Sequence, residues 1–365
     1  MAREGVDGEE PVKEMLEELA TLAETIGRPL KLMEVCGTHT VEIFRHGVRD
    51  VIPKSISLLS GPGCPVCVTS VRDVDAAIDI ARRPGVVLGT FGDMMRVPGG
   101  KESLLEARSE GADVRVFYSP MDALELAAAE PSREVVFFAT GFETTSPLIA
   151  GTLDEAERTG ARNFTVFAAH KLVPPALKAL LDSPDVKVDA FILPGHVSTV
   201  IGKEPYRFVA EKYGKPSVIT GFAAAEIIRG ILMILRQIAQ GRSVVENAYP
   251  SVVRDEGNPR ATALLGKFFE PAEAWWRGIG PIPSSGLGLR TRYADFDANV
   301  RFRPPVSDAA EPKLCSCGDI LRGVKIPTEC KLFGKGCTPD HPVGPCMVST
   351  EGSCSAYYKY GNANG

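Results

Sequence analysis

Eight short runs of β-branched and apolar residues, each followed by Gly, Pro or Thr and then a helical pattern, restrict what this chain can become. They are "LKLMEVC" (30–36), "ISLLSG" (56–61), "GVVLGTF" (85–91), "DVRVFY" (113–118), "EVVFFAT" (134–140), "FTVFAAH" (164–170), "DAFILPG" (189–195) and "SVITG" (217–221). Continuous apolar runs suit strands buried on both faces, and their alternation with helices calls for parallel sheets under a helical cover. The fold class is therefore α/β. A TIM barrel is one way to close eight such units. The spacing favours two similar doubly wound parallel-sheet domains, because starts near 30, 56, 85 and 113 are followed, after a shorter step, by 134, 164, 189 and 217. Echoes of "LSGP" in "LPGH" and of "GTFG" in "ATGF" point the same way. On this reading one α/β domain spans 28–122 and a second spans 123–243. A third takes in 1–27 and 244–365, where the strand pattern fades.

The N-terminal "PVKEMLEELATLAETIG" carries Met15, Leu16, Leu19, Leu22 and Ile26 at helical spacing, with Gly27 as its stop. Having no strand of its own, it is expected to pack on the third region or on the first half. The net charge of −5 and the lack of a basic stripe argue against nucleic acid as a partner. The opening "MAREGVDGEEP" is too acidic and polar for a signal peptide. The most apolar helical stretch, residues 221–240, contains Glu226 and Arg229 and does not suit a bilayer. No membrane association is expected, and the cytoplasm is the expected compartment.

In a reducing compartment, nine cysteines suggest metal or redox chemistry before structural disulfides. Six fall in the 40 residues from Cys315 to Cys354, among six glycines and four prolines. Zinc sites usually show paired C-x2-4-C knuckles, which this tail lacks. Its long, uneven spacings suit loops wrapped around a larger object, such as an iron–sulfur cluster that needs four converging thiolates. Three disulfides and zinc remain the alternatives.

Upstream, Cys64 and Cys67 form a C-x-x-C in "SGPGCPVCVT", where Gly-Pro-Gly predicts an exposed turn. They could be a redox dithiol, a metal-handling pair or two small core thiols. Cys36, in "MEVCGTHT", ends the first run, where open α/β sheets gather their ligands. Thr38 or Thr40 can cap the following helix, and a thiol at a helix start is favoured as thiolate. Nucleophile and metal ligand both stay open for it, and His39 could be a base, an orienting group or a surface imidazole. Asp93, Arg96, Glu143, Thr144, Thr145, His170 and His196 lie in polar loops after strands and could converge on one cleft. His46 and His341 are expected at the surface. Neither a Walker A sequence nor a G-x-G-x-x-G fingerprint occurs, so nucleotide binding has no motif behind it. The tandem Trp275–Trp276 is either core or a docking surface.

Taken together, "CGTHT", "SGPGCPVCVT", "FGDMMRVPG", "GFETT", "LPGHVS" and Cys315-x14-Cys330-x6-Cys337-x16-Cys354 resemble the HypD proteins, which mature the iron centre of nickel–iron hydrogenases. The resemblance covers nearly the whole chain; only the acidic start and the closing "YGNANG" look like additions. It implies two similar α/β domains and a third, Cys-rich domain carrying a [4Fe–4S] cluster on Cys315, Cys330, Cys337 and Cys354. Cys317 and Cys346 would be a spare pair beside the cluster. It further implies a scaffold that works with a small chaperone, HypC, while HypE donates cyanide, and on which one iron becomes Fe(CN)2CO. Cys36 would ligate that iron, with Cys64 and Cys67 as thiols close by. Soft thiolate suits such an iron(II). An iron–sulfur-dependent thiol–disulfide reductase would use the same features, but it gives Cys36 no task. A zinc hydrolase built on Cys36, His39 and a carboxylate is a third reading.

Overall fold

The structure, a computed structural model, describes residues 12–361. The acidic opening segment and the end of "YGNANG" lie outside the described residues. All eight apolar runs are strands: β1 (Leu30–Glu34), β2 (Ile56–Ser60), β3 (Val86–Thr90), β4 (Val114–Val116), β5 (Glu134–Ala139), β6 (Phe164–Ala168), β7 (Ala190–Pro194) and β8 (Ser217–Thr220). A ninth, β9 (Val245–Asn247), and an antiparallel hairpin, β10 (Phe269–Trp276) with β11 (Gly280–Leu289), complete the strands among the described residues.

They build two open parallel sheets, so the barrel alternative does not hold. One sheet has the order β2-β1-β7-β8-β9 and the other β4-β3-β5-β6. Both are doubly wound with the same reversal: β1 lies between β2 and β7, and β3 lies between β4 and β5. Sheet membership nevertheless departs from the expected segments 28–122 and 123–243. The chain lays down β1 and β2, leaves to build the entire four-stranded sheet, and returns at β7, where Leu32 pairs with Ala190. Each βα unit looks alike locally, and only long-range pairing decides which sheet it joins.

The strands are buried as their composition requires. Every residue of β3 and β7 is buried, and β5 is buried except at Glu134, which is half-buried. The N-terminal helix α1 (Val12–Ile26) turns Met15, Leu19 and Ala23 inward. They meet Ile227, Ile231 and Ile234 of α3 (Ala224–Ala239), the helix that follows β8. Full burial of each such side chain contributes about 1.5–3 kcal/mol. Arg236 of α3 also holds Glu18 through two hydrogen bonds of 2.5 and 2.7 Å. α1 thus belongs to the five-stranded sheet, not to the region beyond residue 243.

The two carboxyl edges are covered differently. The hairpin lies over the four-stranded sheet: Leu172 N donates to Ser285 O, and Trp276 stacks on Phe142 beyond β5. The cysteine tail lies over the five-stranded sheet, where Gly323 packs against Met33 and Leu59. Trp276 is buried and donates to Ser285 Oγ at 2.7 Å, while Trp275 is partly exposed under the Arg72 guanidinium at 3.6 Å. Strand alternation sends one tryptophan in and the next out.

Candidate functional site

In open α/β sheets, ligands collect where the strand order reverses, because the loops on either side diverge there. Cys36 stands at that point of the five-stranded sheet. It is the N-cap of α2 (Gly37–Arg45) and keeps an extended backbone. The C-x-x-C turn presses on it from one side: Gly37 N donates to Gly63 O, and a Cβ on Gly63 would lie 2.1 Å from Cys36 N. From the other side comes the tail. Thr38 Oγ1 donates to Glu351 Oε1 at 2.8 Å, and a Cβ on Gly37 would strike the Glu351 side chain and carbonyl. Neither threonine caps the helix. Thr38 is tied to the tail, and Thr40 donates to Glu34.

Cys64 and Cys67 are joined as a disulfide within this buried turn, not on an exposed one. In that state neither offers a thiolate. A short helical turn, Pro65–Val68, follows Cys64. Beyond it, all six tail cysteines line one small cavity together with Ile320, Leu332, Phe333 and Met347. The sulfurs of Cys317 and Cys346 are 3.0 Å apart. Val343 N donates to Cys337 Sγ at 3.3 Å, and Gly344 leaves room for Cys315 Sγ, which its Cβ would approach to 2.8 Å. Among the described residues, no three His, Cys, Asp or Glu side chains are grouped closely enough to hold a single metal ion. A cubane cluster poses a different requirement, since its thiolates attach at separate corners and do not meet at one point.

The sequence profile of HypD, described as the hydrogenase formation hypA family, matches residues 10–361. The chain belongs to the HypD family. It is 50% identical over 341 residues to the hydrogenase maturation factor HypD of Azotobacter vinelandii, covering 92% of this chain and 90% of that one. The HypD of Rhodobacter capsulatus is 48% identical, with 96% of each chain covered. That of Escherichia coli (strain K12) is 44% identical over 96% of this chain and 94% of its own. HypD membership supports a role in hydrogenase maturation and lends nothing to the reductase reading.

The electrostatics correct one expectation about this HypD chain. Burial pushes the Cys36 thiol up to about 12, although the N–H groups of His39 and Thr38 favour the thiolate. Desolvation outweighs the helix start, so the free side chain is a neutral thiol, and a bound cation must displace its proton. His39 is fully buried, not a surface group. Its Nε2 is 2.8 Å from the Gly221 carbonyl and 2.9 Å from Thr220 Oγ1, and its Nδ1 has no partner. A carbonyl only accepts, so the proton resides on Nε2 and the Nδ1 lone pair is bare. Burial lowers its pKa to about 4. Phe222 separates His39 from His196, at ring distances of 4.7 and 4.0 Å.

Glu143 lies at the matching reversal of the four-stranded sheet. It is buried, accepts from Val173 N at 3.0 Å, and has its second oxygen unpaired. Burial pushes its carboxyl up to about 7. Thr144 is exposed, and Thr145 packs against Gly141. Asp93 faces solvent, while Arg96 donates to Pro339 O at 2.5 Å. His170 is buried against Phe269 with both ring nitrogens unpaired. The loops therefore do not form one common cleft around Cys36. Tyr206, a fully buried phenol whose pKa burial pushes well up, lies between the sheets near Glu143.

Sequence reasoning missed Glu34, Tyr206, Glu351 and Arg277. Glu34 had a signal: a carboxylate inside "LKLMEVC" at the position where β1 alternation points inward. It is buried, accepts from Cys36 N at 3.0 Å, and is pushed up to about 7 by that burial. The other three act through contacts distant in sequence and left no local mark.

Proposed function

We propose that this chain is the scaffold on which the Fe(CN)2CO centre of nickel–iron hydrogenases is assembled, with Cys36 as the protein's own ligand to the iron. The observation that carries this reading is the convergence on Cys36 of two other cysteine-bearing segments, the C-x-x-C turn through Gly63 and the tail through Glu351. A soft, anionic sulfur anchors an iron(II) that carries strong-field diatomic ligands. Loading the iron removes the Cys36 proton, and burial of the site keeps water from competing for the metal. One protein thiolate leaves most of the iron's coordination to others. That suits a HypC-type small chaperone as the second holder and a HypE-type protein as cyanide donor.

The tail fits a [4Fe–4S] cluster on Cys315, Cys330, Cys337 and Cys354, because six thiols and a backbone N–H donor surround one cavity. When bound, such a cluster supplies single electrons. Cys317 and Cys346, close enough to touch, are then the spare pair. The Cys64–Cys67 disulfide opens to two thiols by taking up two electrons and two protons, which makes this pair the redox-active one. His39 serves as an orienting group that holds α2 to the end of β8. Glu143, flanked by Thr144 and Thr145, is the group on the other sheet able to release a proton near neutral pH. No described helix is long and apolar enough to cross a membrane; the compartment we assign to this assembly step is the cytoplasm.

Infrared spectra of the protein purified anaerobically with its chaperone test the reading. Cyanide and carbonyl stretches are expected in the wild type and absent in Cys36→Ala. Their retention in the variant would overturn the assignment of Cys36.

A further inference from the structure

Arg277 occupies the turn of the β10–β11 hairpin and is 1% exposed. Its backbone N–H donates to Val68 O at 2.9 Å, the residue directly after Cys67. Its guanidinium reaches the other way. Nη2 donates to Pro98 O and Nε to Glu311 Oε2, both at 2.9 Å, while Nη1 is buried without a partner. The side chain lines a cavity of about 180 Å³ together with Cys315, Cys317 and Gly344. The next residue, Gly278, has φ +69 and packs on Gly318, so closely that a Cβ on either glycine would strike the other's backbone. The hairpin turn is thus a wedge between the C-x-x-C and the tail cysteines, with one buried cation at its tip.

Burying a guanidinium is costly unless it is fully paired. Here the counter-charge paired with it is Glu311, whose side chain is 41% exposed, so solvent weakens its neutralising effect, and Asp319, on the same cavity, is already held by Arg322 and Lys325. A loop fastener would need no charge and would not leave Nη1 idle. The net positive field is left to act on what lies across the cavity wall.

We propose that Arg277 is a positioning residue that raises the reduction potential of the metal cluster held by the tail cysteines. The inference rests on the cluster reading given above. One-electron reduction of a cubane cluster adds one unit of negative charge and no proton, with the electron drawn from an external reductant. A fixed cation nearby stabilises the reduced form, and removing it makes reduction harder.

The test is anaerobic reconstitution of the full chain with iron and sulfide, followed by spectroelectrochemical titration with dithionite. Wild type, Arg277→Gln, Arg277→Lys and Glu311→Gln are compared. Arg277→Gln is expected to take up the same iron and sulfide and to show a more negative midpoint potential. Arg277→Lys, which keeps the charge, is expected to stay near wild type. Glu311→Gln, which unmasks the cation, is expected to shift the potential in the positive direction. A fully loaded Arg277→Gln at the wild-type potential overturns the proposal and leaves the cluster reading intact. A wild type that takes up no cluster overturns both. If Arg277→Gln does not fold, Glu311→Gln decides alone: a positive shift supports the role and an unchanged potential overturns it.

Discussion

The two parallel sheets repeat one strand order, yet their reversal points hold unlike chemistry. In the five-stranded sheet the reversal presents Cys36, a bare imidazole nitrogen on His39 and a buried carboxyl on Glu34. In the four-stranded sheet it presents Glu143, with one oxygen idle, beneath an aromatic lid. The topology supplies the position in both cases, whereas the covering segment supplies the character. The cysteine tail covers the first reversal through Glu351, which holds Thr38 and packs on Gly37. The hairpin, through the stack of Trp276 on Phe142, covers the second, where the neighbouring Glu143 carboxyl is buried.

The largest effect is expected where a cover is removed. Trp276→Ala empties a fully buried site and leaves Ser285 Oγ without its donor, at a cost of about 3–5 kcal/mol in urea unfolding. Trp275→Ala loses only an edge-of-surface stack with Arg72, about 0.5–1 kcal/mol. Equal costs for the two would remove the idea that the hairpin is a lid. Next come the glycines after β2 and β3. Gly63→Ala forces a Cβ into the Cys36 backbone and is expected to cost about 1–3 kcal/mol or more. Gly92→Ala meets nothing closer than 3.5 Å and is expected to stay within about 0.5 kcal/mol of wild type. Thermal melts of the pair show whether tight packing is confined to the thiol side.

A pH series sharpens the carboxyl side. The folded state binds the Glu143 proton more tightly than the unfolded chain, because burial lifts its pKa from 4.5 to about 7. Its burial therefore carries no charge penalty below the unfolded value, and stability drains away as pH rises through about 7. Glu143→Gln is expected to flatten that loss when urea midpoints at about pH 5 and about pH 7.5 are compared. An unchanged slope would mean that the carboxyl is ionised throughout. A local effect is expected for Thr38→Val, which removes one hydrogen bond to Glu351 and about 1 kcal/mol. Faster amide exchange around Glu351, with the hairpin unaffected, would show that this bond ties down the tail alone.

Much of this frame was legible in the residues. Continuous apolar runs such as "EVVFFAT" announced buried parallel strands, and the reversal of strand order explains why Cys36 and Glu143 both sit at loop mouths. What escaped reading was non-local. β9 is three half-buried residues at a sheet edge and carries no strong period. The hairpin strand β11 contains Gly-Pro-Ile-Pro-Ser-Ser, residues that argue against a strand wherever a ladder is expected on both sides. The helix start beside Cys36 suggested a thiolate, but the helix dipole is a local quantity, and the burial that defeats it comes from residues 63 and 351. The crowding of the tail cysteines was legible from composition, whereas the adjacency of Cys317 to Cys346 required the folded loops.

One consequence follows from the insertion of the whole four-stranded sheet between β2 and β7. As the chain leaves a ribosome, Cys36 and the C-x-x-C appear early but have only each other as neighbours. The strand that pairs beside Cys36 arrives after the second sheet has been synthesised, and Glu351 arrives later still. A chain lacking residue 351 therefore cannot build the packing beside Cys36, however well its early part folds. The surroundings of Cys36 are therefore assembled from segments made at widely separated times, and early folding of β1 and β2 does not by itself shape the site.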